Sequence, residues 1–261
     1  MLLCIDVGNT NIKYAVFDGD ELKATFRVTS KRNATSDEYG VIVRDLLKSA
    51  DIRKSEITGV IMSSVIPSLN YTMEHMCGDY LGLKPIVIGP GIKTGLNIKA
   101  DNPREVGSDI IADCVCAVRR YGLGAPIICI DFGTATTFDV ISEKGELIGV
   151  VIAPGIKASL DSLVSGTANL PKIELEKPRS VLAKNTVNCM QAGIIYGFAG
   201  LVDGIVERIK EELGRKDAKV IATGGTGKIV YKETKSIDVF DKVLTLDGLR
   251  IIYEMNCGEE K

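Results

Sequence analysis

Cys129-Ile130-Asp131-Phe132-Gly133-Thr134-Ala135 lies in register with Cys4-Ile5-Asp6-Val7-Gly8-Asn9-Thr10, with Cys, Ile, Asp and Gly coinciding. Each copy closes an apolar run and opens the same strand–turn–strand grammar. In the first, Leu2 to Val7 and Ile12 to Phe17 lead through Asp18-Gly19-Asp20 into Glu21 to Val28. Asp-Gly is a dipeptide that tight hairpin turns select. In the second, Pro126 to Asp131 and Thr136 to Ser142 lead through Lys144-Gly145 into Glu146 to Ile152. A recurrence at this distance marks duplication of a whole domain rather than a short solenoid repeat. It divides the chain into residues 1–122 and 123–261, with the break among Gly122, Gly124 and Pro126.

Helical patterns fill the space between the strands. Asp37 to Ala50 reads as a helix, Gly59 to Ser63 as a buried strand, and Pro67 as the first residue of another helix, a position where proline's missing N–H costs nothing. Asn102, Pro103 and Glu105 form an N-terminal signature, and Val106, Ile110, Cys114, Ala117 and Val118 follow at helical spacing. The spacing predicts one helix from Asn102 to the Gly122 break, with Asp109 about two turns in. Lys172 to Lys184 reads as a charged surface loop, Thr186 to Leu213 as a long helix and Lys219 to Thr223 as a strand. Gly224-Gly225 forms a turn, and Thr245 to Asn256 is a closing helix. The fold class is α/β, in two similar domains, each with a central mixed sheet flanked by helices.

Composition removes several function classes. A net charge of −2, spread along the chain, offers no basic face for nucleic acid. Asp6 interrupts the apolar N-terminus, no basic segment precedes it, and no apolar run approaches the roughly 20 residues of a membrane span. A cytoplasmic protein is expected, with no nucleic-acid or membrane partner. The 7 cysteines form no CxxC pair and read as buried reduced thiols, with Cys114 and Cys116 on different faces of one helix. His75 is the single histidine and sits in an amphipathic helical stretch, exposed or at a core edge. A general base must therefore be a carboxylate.

Asp6-Val7-Gly8-Asn9-Thr10-Asn11 places a carboxylate at a strand end before a glycine turn rich in small donors. Ile12 and Lys13 follow, and the lysine could offset charge. Glycine lets a phosphate approach the main chain, and Asn and Thr add donors. One such turn alone reads first as an ordinary Asx-type hairpin. The second copy, Asp131 through Gly133 and Thr134 to Thr137, changes that reading, because two such turns would grip a polyphosphate from both sides. Asp6 and Asp131 would then need cations between themselves and the phosphates, with Gly224-Gly225 as a nucleoside-binding turn. Such an arrangement resembles the actin/Hsp70/sugar-kinase fold, an actin-like ATPase (ribonuclease H-like) architecture. Gly227-Lys228 lacks the spacing and the following Ser or Thr of a Walker A motif, and no GxGxxG follows a strand. Asp109 follows Gly107-Ser108. It is either a solvated acid on a helix face or, with Asp113 one turn on, a carboxyl whose pKa a like charge raises.

Asp6-Val7-Gly8-Asn9-Thr10, Ser64-Val65-Ile66-Pro67, Asn102 through Asp109, Asp131 through Thr137, Asn185-Thr186 and Leu244 through Leu249 occur in one order. That ordered set resembles the type III pantothenate kinases across essentially the whole chain. The resemblance implies transfer of a phosphoryl group from Mg2+-bound ATP to pantothenate, the first step of coenzyme A biosynthesis. It implies that Asp6 to Lys13 (Asp6, Val7, Gly8, Asn9, Thr10, Asn11, Ile12 and Lys13) form the first phosphate loop. Gly133 and Thr134 form the second ATP contact, Asp131 binds a monovalent cation (K+ or NH4+), and Asp6 meets Mg2+ through the phosphates. It further implies Asp109 as general base, Gly107, Ser108, Asp109, Ile110 and Thr186 as pantothenate-binding positions, and a homodimer with the substrate site at its interface. Ile110 departs from the Gly-x-Asp-Arg pattern common in the family. Either another cation such as Arg104 covers the guanidinium's role, or substrate binding is weaker or altered. The alternatives are a kinase of another small alcohol and a catalytically silent regulator that keeps the fold.

Overall fold

The structure is a computed structural model that describes residues 1–257. In chain order the elements are β1 (Leu2–Val7), β2 (Asn11–Asp18), β3 (Glu21–Thr29), α1 (Ser36–Ser49), β4 (Gly59–Ser64), α2 (Pro67–Met76), β5 (Ile86–Val87), β6 (Asn97–Ile98) and α3 (Ser108–Tyr121). They continue with β7 (Ile127–Phe132), β8 (Ala135–Ile141), β9 (Glu146–Pro154), α4 (Ile156–Ser165), α5 (Thr186–Glu212), β10 (Lys219–Thr223), α6 (Gly227–Tyr231), β11 (Val239–Phe240) and α7 (Leu244–Cys257). By packing, one compact unit comprises residues 1–96, 101–116 and, among the described residues, 244–257, and the other 97–100 and 117–243. The linear division at 122/123 follows the repeat in the chain; the packing units cut it differently, because α7 joins the first.

In the first unit the sheet runs β3-β2-β1-β4-β5, antiparallel through the hairpins and parallel from β1 to β4 and β5. Gly19 takes φ +57 in the β2–β3 turn, the left-handed region that a hairpin of this kind requires. Strand alternation sorts the side chains. Leu3, Ile5 and Val7 of β1, with Val60 and Met62 of β4, pack into one core with Tyr39, Val43 and Leu47 of α1 and Leu69, Met73 and Met76 of α2. Cys4 and Asp6 alternate to the other face, where α7 lies along β1, β2 and β4. Thr35 and Glu38 cap α1 reciprocally, Glu38 N–H donating to Thr35 Oγ1 at 3.2 Å and Thr35 N–H to the Glu38 carboxylate at 2.8 Å.

In the second unit the order is β11-β10-β7-β8-β9-β6. Read from the meander, β9-β8-β7-β10-β11 repeats β3-β2-β1-β4-β5, with β7 antiparallel to β8 and parallel to β10. The duplication read from two heptapeptides is therefore a duplication of sheet topology. Ile128, Ile130 and Phe132 share a core with Ile156 and Leu160 of α4 and Met190, Phe198, Val202 and Val206 of α5. α5 corrects one expectation. It is long and apolar enough, by length and composition alone, to cross a membrane. Its buried face is the core stripe just named, and Gly193, Gly197 and Gly200 lie on its exposed side.

Two further corrections concern α3 and the thiols. The Asn102 cap is real, its side chain accepting from Arg104 N–H at 3.3 Å, but it opens only a 3-10 turn, Pro103–Glu105. Val106 is extended (φ −69, ψ 125) and α3 begins at Ser108. Asp109 therefore stands in the first helical turn. Cys114 and Cys116 are both fully buried, because α3 is enclosed all round from Ala112 to Ala117. Of the 7 thiols, Cys4, Cys77, Cys114, Cys116 and Cys129 are buried, while Cys189 and Cys257 are exposed. His75 is exposed and lies against the Tyr71 ring, centroids 3.8 Å apart.

Candidate active site

The turn after β1 is built as its residue types require. Gly8 N–H donates to Asn11 O at 3.1 Å, and a Cβ at Gly8 would stand 3.0 Å from that oxygen. Ser30 braces the turn from β3's side, its N–H donating to Thr10 O at 3.0 Å and its hydroxyl to Gly8 O at 2.5 Å. Asn9 and Thr10 are exposed at the tip, with Arg32 reaching Asn9 Oδ1 at 3.5 Å. Behind them Val7 and Ile12 are buried core residues, so their part is to anchor the turn. Asp6 is 4% exposed and is held at both oxygens, Ser63 Oγ donating to Oδ1 at 2.8 Å and Lys13 Nζ pairing with Oδ2 at 3.1 Å.

Asp109 belongs to the same unit and the same neighbourhood. Burial, and next the negative charge of Asp6, push its carboxyl above the usual range; the Ile110 and Asp109 N–H groups and the Lys13 charge pull the other way. Ile110 N–H donates to Asp109 Oδ1 at 2.9 Å, and a Cβ at Gly107 would run into that same oxygen. Glycine is thus a steric requirement of the carboxylate's position. The Ser108 hydroxyl accepts from Ser64 N–H at 2.9 Å and donates to Ser64 O at 3.2 Å, tying the start of α3 to the end of β4. Ile110 is half-buried, and Arg104 is exposed on its own 3-10 turn.

The second unit assembles a similar turn. Asp131 ends β7, pairing in register with Thr223 of β10. A Cβ at Gly133 would lie 3.2 Å from Asp131 Oδ2, and one at Gly224 would lie 2.5 Å from Oδ1 and from Phe132 N. Gly224 also has φ +99, so both space and backbone demand glycine there. Thr226 Oγ1 donates to Phe132 O at 3.0 Å, closing the Gly224-Gly225 turn onto the Asp131 turn. Thr134 is exposed, with its carbonyl directly over Gly155, where a Cβ would collide with it. Thr186 is exposed at the start of α5, whose N-cap Asn185 accepts from Asn188 N–H at 2.9 Å.

The sequence-marked residues thus gather around Asp6 and Asp109 in the first unit and around Asp131 in the second, except Thr186, which stands at its own helix end. Ser63 and Arg32 carry no sequence signal of their own. One is a serine in a buried strand and the other a charge in a loop, and only the register and the turn bring them to Asp6 and Asn9. Among the described residues no group of three or more His, Cys, Asp and Glu could cage a metal. The donor set suits a magnesium ion that keeps its waters and phosphate ligands. A cavity of about 420 Å3 lies elsewhere, between Leu47, Ile52 and Tyr80, and contains none of these residues.

Duplicated β-meanders, each with an aspartate near the end of its first strand and a glycine turn after it, define the actin-like ATPase and sugar-kinase fold. Solved structures agree on the fold. A 2-dehydro-3-deoxygalactonokinase, so described, from Sinorhizobium meliloti superposes with a TM-score of 0.63 at 10% identity, covering 100% of this chain and 98% of that one. A protein from Campylobacter jejuni described as a Baf family transcriptional activator gives 0.55 at 18% identity, covering 98% of each. At sequence level the match is narrower. The model of the type III pantothenate kinase family matches residues 2–208. The type III pantothenate kinase of Brevibacillus brevis is 52% identical over 256 residues, 98% of this chain and 99% of that protein. The chain belongs to the type III pantothenate kinase family.

Proposed function

We propose that this protein transfers the γ-phosphoryl group of ATP to the primary hydroxyl of pantothenate, the first step of coenzyme A biosynthesis, with Asp109 as general base. The observation that carries the reading is the setting of Asp109 in a chain of this family. It is a half-buried carboxyl at a helix start, raised in pKa by burial and by Asp6, with glycine beside it. A base poised nearer neutrality takes a hydroxyl proton more effectively, typically contributing 10²–10⁴-fold.

Each remaining group has a part that its chemistry suits. The Gly8–Asn11 turn and Lys13 receive the phosphates, with Gly133 and Thr134 as the second contact. Phosphoryl transfer asks mainly for such positioning and charge neutralisation. Mg2+ would meet Asp6 through the phosphates and neutralise charge on the transferred group. Asp131 would supply a carboxylate to a monovalent cation such as K+ or NH4+, the part that the family resemblance implies for it. Gly107, Ile110 and Thr186 form the pantothenate-binding positions, together with the backbone at Ser108 and Asp109. The working form is a homodimer in the cytoplasm, with the substrate site at the subunit interface.

Ile110 favours one competing reading. Its side chain offers no hydrogen bond where a guanidinium is usual, so the acceptor could be a different small alcohol. Comparing ATP turnover on pantothenate with that on other small alcohols separates the two. Turnover confined to pantothenate supports the proposal, and turnover only on another alcohol rejects it.

A further inference from the structure

β4 ends beside Asp6 and Asp109 and holds each through a serine. Asp6 and Ser63 are directly opposed in the parallel β1–β4 register, and strand alternation sends both side chains to the face away from α1 and α2. Ser63 is completely buried and Asp6 nearly so, and its hydroxyl donates to Asp6 Oδ1 at 2.8 Å. With Lys13 on Oδ2, the carboxylate has no freedom to rotate without abandoning a donor. One residue further along β4, the Ser64 main chain exchanges two hydrogen bonds with Ser108 Oγ. A hydroxyl that accepts and donates at once fixes its residue in two directions, and Asp109 is the next residue.

We propose that Ser63 and Ser108 are positioning residues for the phosphoryl transfer, tying Asp6 and Asp109 to adjacent residues of β4 so that a single strand sets the spacing of the two carboxylates. The second unit repeats half of this device, since buried Thr223 of β10 takes the register place beside Asp131 that Ser63 takes beside Asp6. The proposal rests on Asp109 being the base. It also changes the part expected of Ser108, whose hydroxyl is committed to β4 rather than to substrate.

The test is steady-state kinetics of the purified full chain with Mg2+-ATP and pantothenate, comparing wild type, Ser63→Ala, Ser108→Ala and Ser108→Thr. Loss of a hydrogen bond that orients a charged or reacting group should lower kcat about tenfold in each alanine variant, with the KM for pantothenate within about twofold of wild type. Ser108→Thr, which keeps the hydroxyl, should recover most of the loss. Should Ser63→Ala not fold, Ser63→Cys keeps the volume with a much weaker donor and should show the same fall in kcat. Unchanged kcat in the Ser63 and Ser108 variants overturns the proposal. So does a Ser108→Ala variant with raised KM and intact kcat, the signature of a direct substrate ligand. A wild type inactive on pantothenate overturns the functional reading as well, whereas an active wild type with unimpaired variants overturns this proposal alone.

Discussion

Asp109 concentrates the consequences that a single residue can carry. Its carboxyl is pushed up by burial and by Asp6, so as pH falls kcat/KM should drop through an acid limb lying above the ordinary carboxylate range; a pH–rate profile reads it directly. Asp109→Asn should lower turnover by about 10²–10⁴-fold while the circular dichroism spectrum stays that of wild type. The same shift has a stability side. A carboxyl whose folded pKa exceeds its unfolded value destabilises the fold when ionised, at pH above the folded pKa, and that cost disappears below the unfolded value. Asp109→Asn should therefore melt above wild type at neutral pH, with the difference vanishing as pH falls below about 3.9. Gly107→Ala tests the steric side. Its Cβ meets Asp109 Oδ1, so turnover should fall even though alanine suits the start of a helix.

At the scale of elements, the placement of α3 depends on α7 as well as on β4. A Cβ at Gly248 would strike the Ala112 carbonyl of α3, and Cys116 Sγ lies 3.5 Å from Asp247 Oδ2. Arg250 pairs with Asp247 at 2.7 Å and with Asp20 at 2.6 Å, securing α7 to the β2–β3 turn. Gly248→Ala should cost about 1–3 kcal/mol of stability, as overpacking against fixed backbone does, measurable by urea denaturation. None of these contacts could be read from the chain. The Leu244–Leu249 segment shows a helix, but not that the helix returns to the first unit. Nor does a cap at Asn102 reveal that the helix behind it lasts one turn; the extended Val106 decides that. Local signals were sufficient where the structure is local, as at the Asp18-Gly19 hairpin and the Pro67 start. They failed for α4 and for the two-residue strands β5, β6 and β11, which exist only because neighbouring strands supply partners. Ser63 is the clearest case. Its part at Asp6 is created by a register between strands 57 residues apart, and nothing in its own neighbourhood announces it.

For the whole molecule, the repeat explains why so much of the candidate site was legible. Asp6 and Asp131 end corresponding strands, each precedes a glycine turn, and each has a hydroxyl residue opposite it in the next parallel strand. Two aligned heptapeptides therefore predicted two aligned sheets. If Asp131 holds a monovalent cation, Asp131→Asn should abolish the stimulation of turnover by K+ while leaving the melting curve within a few degrees of wild type. The most direct measurement of the proposed reaction is ATP turnover by the purified protein with pantothenate, with and without K+ or NH4+. Turnover that requires pantothenate and rises with the monovalent cation is expected. Folded, ATP-binding protein that turns over ATP without regard to pantothenate, or not at all, would contradict it.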